Sequence, residues 1–166
     1  MNIRKLGVQD AENYLKIRLT ALKNNPEAFG SSFEEEKDRP VEMYEQRLSS
    51  EESITYGAFL HNQLVGTVTL MREKYVKFRH RASIVGMYVD PENRGSGIGR
   101  LLLIEAINQA KTIGEIEQLN LSVVTTNEPA KKLYTSLGFE VFGTEKRALK
   151  LDERSYLDEH HMVLFL

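Results

Sequence analysis

Apolar positions along this chain alternate between helical and strand-like period, and those changes predict its elements. Residues 3–8 read as a short first strand. Leu15, Leu19 and Leu22 then recur at helical spacing, with Asp10 placed to cap a helix that Asn24-Asn25-Pro26 ends. Ser31-Ser32 followed by Glu34-Glu35-Glu36 marks a second helix start, with acids in the first turn. Pro40 suits the start of a third helix over residues 41–48. Strand-like runs follow at residues 55–60 and 64–71, around a turn at His61-Asn62-Gln63, and again at residues 82–89. The helical period returns with Ile98, Leu102, Ala106, Ala110 and Ile113 on one face, stopped by Gly114. Residues 119–124 read as a strand. Ala130, Leu133, Tyr134 and Leu137 form the stripe of another helix, closed by Gly138. Residues 139–144 and 161–166 are the last strands. Strand, helices, an antiparallel run and then alternating elements predict an α+β fold, with a mixed sheet flanked by helices.

Composition narrows the function classes. A length of 166 residues fits a single domain spanning 1–166, and 41% hydrophobic with 28% charged residues is an ordinary globular balance. The net charge of −2 carries no basic footprint for nucleic acid or an anionic membrane. Cysteine is absent, which excludes disulfides, thiolate metal sites and a cysteine nucleophile, and fits a reducing compartment. No apolar run approaches the roughly 18–20 residues of a membrane span. The opening Met1-Asn2-Ile3-Arg4-Lys5 lacks the apolar stretch of a signal peptide. A cytoplasmic protein is the expectation.

The most informative chemistry is Arg94-Gly95-Ser96-Gly97-Ile98-Gly99, where the strand ending at Val89 hands over to the helix opening at Leu101-Leu102-Leu103. Glycines let backbone N–H groups converge on a ligand, and a helix N-terminus adds unpaired donors and partial positive charge. Together these make an anion site, most often for phosphate. A tight strand-to-helix connection would use the same residues. The segment is not a Walker loop, because Gly99 is followed by Arg100-Leu101, and its G-x-G-x-G spacing is not the dinucleotide fingerprint.

About 30 residues further on comes Asn127-Glu128-Pro129-Ala130-Lys131-Lys132-Leu133-Tyr134-Thr135-Ser136-Leu137-Gly138-Phe139. Paired with Val89-Asp90-Pro91-Glu92-Asn93-Arg94-Gly95-Ser96-Gly97-Ile98-Gly99, it resembles the two central motifs of the GNAT superfamily of N-acetyltransferases. The order of strands and helices around them is similar too, and a weaker likeness covers nearly the whole chain. The resemblance implies a GNAT-like, mostly antiparallel central sheet and an acetyl-CoA site, with acetyl-CoA as co-substrate. It puts Arg94, Gly97 and Gly99 at the family's phosphate-loop positions, so amides of Gly95, Ser96, Gly97, Ile98, Gly99 and Arg100 would hold the CoA pyrophosphate. Met87, Tyr88 and Val89 would pair with the pantetheine arm, because the family's fourth strand splays from its fifth. Asn127 would face the cofactor, and Tyr134 matches the usual general acid. An amine attacks the thioester directly, a backbone N–H near Tyr88–Val89 meets the oxyanion, and a phenol that stays protonated at pH 7 serves the departing thiolate. On periodicity alone Tyr134 is a packing residue, Asn127 a helix cap, and Arg94 and Arg100 surface charges.

The base is where the pattern departs. Some members carry a glutamate on strand four or five, but the fifth-strand position here is Ser122, and strand four has no acid before Asp90. Glu34, Glu35 and Glu36, a water relay, or no dedicated base remain. His80, His160 and His161 could serve too, but two lie near the last strand and none has a motif context, so no base is assigned; their spacing matches no metal-ligand pattern, and no metal is expected. The resulting reading is transfer of acetyl from acetyl-CoA to an amine of a small molecule or protein. The open alternatives are another acyl-CoA donor, or a non-catalytic acyl-CoA-binding sensor. Mixed charge in residues 146–160, expected as the loop between the last strands, selects no acceptor. Edge strands make a homodimer plausible.

Overall fold

A computed structural model describes residues 1–166. Its centre is a seven-stranded sheet in the order β1-β2-β3-β4-β5-β7-β6. The strands are β1 (Asn2–Lys5), β2 (Ser53–Leu60), β3 (Gln63–Arg72), β4 (Arg81–Val89), β5 (Gln118–Val124), β6 (Glu140–Lys150) and β7 (Tyr156–Phe165). The helices are α1 (Ala11–Asn24), α2 (Phe33–Glu36), α3 (Val41–Ser49), α4 (Ile98–Thr112) and α5 (Glu128–Ser136). Every pair of neighbouring strands is antiparallel except β4–β5. The expected α+β class with a mixed, mostly antiparallel sheet is therefore the observed one.

The sheet separates two cores. Leu102, Leu103, Ala106 and Ala110 of α4 pack on Val68, Leu70, Ala82, Ile84 and Leu119. On the opposite face Tyr14, Ile17 and Ala21 of α1 and Tyr44 and Leu48 of α3 pack on Leu6, Phe59 and Leu64. Covered on both sides, β3 is buried continuously from Leu64 to Leu70, Thr67 and Thr69 included.

The feature that positions the site is a parting of strands. The β4–β5 ladder runs only from Arg81↔Gln118 to Ser83↔Asn120. Beyond it β5 stays paired with β7 as far as Val124↔Glu159, while β4 follows β3. The β3–β4 register shifts between Thr67 and Thr69, opposite Gly86 at φ 60°, and this bulge turns β4 away. Thr67 Oγ1 donates to Gly86 O at 3.2 Å and fixes the turn.

Several sequence expectations shift. Strand β1 stops at Lys5, because residues 8–10 form a 3-10 turn that enters α1. Asp10 makes no side-chain cap to α1; its carboxylate accepts from both Arg4 guanidinium nitrogens at 2.7 Å and from Gly7 N at 2.9 Å. Of Leu15, Leu19 and Leu22 only Leu22 is fully buried, since the inward face of α1 is set by Ala11, Tyr14, Ile17 and Ala21. The last two strands are much longer than expected. Residues 146–150 and 156–160 belong to the hairpin, held where Lys146 and the Arg147 N–H meet the Asp158 carboxylate, each at 2.8 Å. Arg147 sits at φ 56° in the bulge that interrupts the alternation.

Candidate active site

The loop after β4 is built to leave donors free. Gly95 at φ 76° and Gly97 at φ 85° adopt the left-handed region, which glycine enters without cost from a Cβ. The first helical N–H to find an intramolecular acceptor is that of Leu101, on Gly97 O at 3.1 Å. The N–H groups of Gly95, Ser96, Gly97, Ile98, Gly99 and Arg100 have none. A run of unpartnered amides at the positive end of a fifteen-residue helix fits a polyanionic ligand such as a diphosphate.

Arg94 braces this loop. Its Nε donates to Val89 O at 2.9 Å, its Nη2 donates to Asn25 Oδ1 at 2.7 Å, and its guanidinium lies 5.7 Å from the Tyr88 ring centroid. Arg100 donates to Ser136 Oγ at 2.9 Å and links α4 to α5. Ser96 turns its hydroxyl back onto Asn93 O.

Between the parted strands lies a cleft of about 1280 Å³. It is lined by Met87, Tyr88 and Val89 of β4, by Arg94, Gly95, Gly97, Ile98, Gly99 and Arg100, and by Asn127 and Tyr134. Of the cofactor-binding and general-acid residues that the resemblance implied, only Ser96 does not line it. Past Ser83, the β4 backbone groups that face β5 have no strand partner there, apart from Val89 O, which Arg94 takes. Such an edge suits an extended amide-bearing ligand.

Asn127 caps α5 through Ala130 N→Oδ1 at 3.2 Å, which leaves its side-chain amide N–H₂ without a partner in the protein. Tyr134 is 7% exposed, with its ring edge-on to Phe139 at 6.1 Å. Its hydroxyl makes no hydrogen bond within the protein, and burial pushes its pKa up to about 12. A phenol so placed remains protonated throughout the neutral range.

The acidic run offers no free carboxylate for base chemistry. Glu34 pairs with Lys37, and Glu35 closes the capping box of α2 on Ser32. Glu36 is 1% exposed and accepts from Arg18 at 3.0 and 3.2 Å, Ser31 at 2.6 Å and Tyr44 at 2.8 Å. Burial would raise its pKa, but the hydrogen bonds from Arg18 and Ser31 outweigh that and hold it at about 2.

Across the cleft the sheet supplies polar groups that sequence reading did not connect. Ser122, His161 and Glu159 line it. Ser122 Oγ is 2.9 Å from His161 Nδ1, and His161 Nε2 is 3.0 Å from Glu145 Oε2. Glu159 is half-buried with no cation on it, and burial raises its pKa. Alternation along β7 signals that residues 159 and 161 share a face, but the β5–β7 register that brings Ser122 to them is a tertiary property.

The acetyltransferase (GNAT) family model matches residues 19–139. The L-amino acid N-acetyltransferase AaaT of Escherichia coli strain K12 is 30% identical over 123 residues, 73% of this chain and 74% of that one. Three further curated relatives are covered to less than half of their own length. The crystal structure of a ribosomal-protein-alanine N-acetyltransferase from Brucella melitensis superposes at TM-score 0.86 with 27% identity, covering 100% of both chains. The structure of yncA from Salmonella typhimurium, a putative acetyltransferase with its cofactor acetyl-CoA, superposes at 0.85 with 23% identity, covering 100% of this chain and 94% of that one.

Proposed function

The chain belongs to the GNAT acetyltransferase family, acyl-CoA-dependent N-acetyltransferases, and from that premise we propose that it moves acetyl from acetyl-CoA to a primary amine by direct attack, with Tyr134 as general acid. The observation that carries the reading is the run of unpartnered amides from Gly95 to Arg100 at the mouth of a cleft opened by β4 and β5. Those amides would hold the pyrophosphate, with Arg94 keeping the loop in shape. Met87, Tyr88 and Val89 would receive the pantetheine arm as an added strand, with the Asn127 amide facing it. Acetyl-CoA supplies a thioester, whose carbonyl carbon accepts the amine nitrogen and whose sulfur departs. A β4 backbone N–H near Tyr88 and Val89 would meet the carbonyl oxygen as negative charge grows on it. The Tyr134 hydroxyl would donate to the departing sulfur, and that bond strengthens as thiolate character develops.

One relative is named for an L-amino acid and one structural neighbour for a ribosomal-protein alanine, so acceptor screening starts there. The experiment is free-thiol release from acetyl-CoA across L-amino acids, peptides with N-terminal alanine, and a polyamine. Release that depends on the amine, with a product heavier by one acetyl group, is expected. Tight acetyl-CoA binding without release from any amine contradicts the transfer reading.

A further inference from the structure

The transfer leaves one role without a residue, the group that takes the first proton from the acceptor ammonium. We propose that His161, oriented by Glu145 and reached through Ser122, is that base; the proposal rests on the acetyl-transfer reading above.

Three strands assemble the group. Ser122 of β5 and His161 of β7 are direct partners in their antiparallel ladder, so their side chains share a face. On the other side His161 faces Gly143 of β6, and Glu145 is the diagonal neighbour. Gly143 places no side chain over the ring, and nothing lies within 4 Å of where its Cβ would be. His161 Nε2 lies 3.0 Å from Glu145 Oε2, and its Nδ1 lies 2.9 Å from Ser122 Oγ. A carboxylate only accepts, so Nε2 carries the ring proton. Nδ1 then presents its lone pair, and the Ser122 hydroxyl donates to it. The basic nitrogen therefore points at a hydroxyl that itself lines the cleft.

The proton accounting closes. An ammonium N–H donates to Ser122 Oγ as the serine proton passes to His161 Nδ1, which leaves a neutral amine, an unchanged serine and an imidazolium facing Glu145. The amine nitrogen then bonds to the thioester carbonyl carbon and the C–S bond breaks. The second nitrogen proton ends on sulfur by way of Tyr134, and His161 returns its own to water. Ammonium plus thioester thus gives amide, thiol and one proton.

The charged groups packed around the ring are carboxylates. Glu145 comes from β6 and Glu159 from β7, while β5 contributes only uncharged Ser122 and Asn120 on that face. Glu27, on the 3-10 turn packed on β5, accepts from Asn25 Nδ2 at 3.1 Å. The Phe142 ring lies 6.1 Å from the imidazole. Glu145 is 57% exposed, so its pairing adds little to stability and its replacement tests chemistry rather than folding.

The experiment compares wild type with His161→Gln, Glu145→Gln and Ser122→Ala, using whichever panel amine releases thiol fastest from wild type. General-base catalysis is worth about 10²–10⁴-fold, so His161→Gln should lose at least about tenfold in kcat/KM at pH 7. Wild-type kcat/KM should level off at a pH below the pKa of the amine. The His161 and Ser122 variants should keep rising toward the pKa of the amine itself and recover there. Glu145→Gln should lose less than His161→Gln, because the ring keeps its basic nitrogen and loses only the carboxylate that orients it. Acetyl-CoA affinity should stay within a few-fold in all three. A His161→Gln enzyme with the wild-type pH profile overturns the proposal. So does an acetyl group found on Ser122 after incubation with acetyl-CoA alone, which would make the serine a nucleophile. If His161→Gln does not fold, the Ser122 profile decides. Thiol release from no amine sinks this proposal together with the transfer reading.

Discussion

At the scale of single residues, Tyr134 and Glu36 show how burial sets chemistry. Tyr134 lies on the apolar stripe of α5, yet its hydroxyl bonds to nothing in the protein and faces the cleft. Tyr134→Phe keeps the ring and its Phe139 contact, so fold and acetyl-CoA affinity should hardly change. Turnover should fall at least about tenfold, mainly in kcat, if the hydroxyl serves the leaving sulfur. Wild-type turnover with chemistry shown to be rate-limiting would leave Tyr134 a packing residue only. Glu36 is the opposite case, an anion used for architecture. Its pKa of about 2 lies below the ordinary value of 4.5. The unfolded chain therefore binds the proton first, and the stability Glu36 contributes is fully present above about pH 4.5. It is lost as pH falls toward about 2, on the order of 3 kcal/mol in all. Glu36→Gln should be less stable at pH 7, and its melting temperature should fall less between pH 5 and 3 than that of wild type, as thermal scans would read. An equally steep acid dependence in the variant would contradict this. The sequence displayed three adjacent glutamates without separating them, because which one turns inward depends on Arg18 and Tyr44 from two other helices.

At the scale of elements, the loop from Gly95 to Gly99 was legible because its geometry is written in local backbone chemistry. Glycine pattern, strand end and helix start are all short-range, and the structure joins them where they were expected. Gly97→Asp should abolish acetyl-CoA binding in calorimetric titration of the folded variant, since a carboxylate would stand among the amides. Gly97→Ala is the control. Nothing lies within 4 Å of its Cβ, so its cost is the left-handed φ alone, about 1–2 kcal/mol of stability. Unchanged affinity in the aspartate variant would remove the anion site. The full length and register of the β6–β7 hairpin were illegible for a matching reason. Its strands are largely exposed and interrupted by the Arg147 bulge, so apolar alternation, the signal that marks strands, is weak there. Its register brings Glu145 to His161 over sixteen residues of chain and Ser122 over thirty-nine, distances no local pattern spans.

At the scale of the whole molecule, the sheet works as two halves hinged at the short β4–β5 ladder. One half, β1 to β4, carries the anion loop; the other, β5 to β7, carries the polar groups around His161. On the proposed reading the cleft between them would join a donor side to an acceptor side, the arrangement that transfer between two substrates needs. No helix is long and apolar enough to cross a membrane. A ligand that bridges the halves should raise the melting temperature in proportion to the logarithm of its concentration above Kd, and acetyl-CoA should do so more than free adenosine. The most direct measurement is an amide-resolved NMR titration of the ¹⁵N-labelled protein with acetyl-CoA. The account predicts saturable shifts at one equivalent, with the N–H protons of Gly95, Ser96, Gly97, Ile98, Gly99 and Arg100 moving downfield together as they gain phosphate acceptors. Saturable binding that leaves those amides unmoved, or no binding at all, would contradict it.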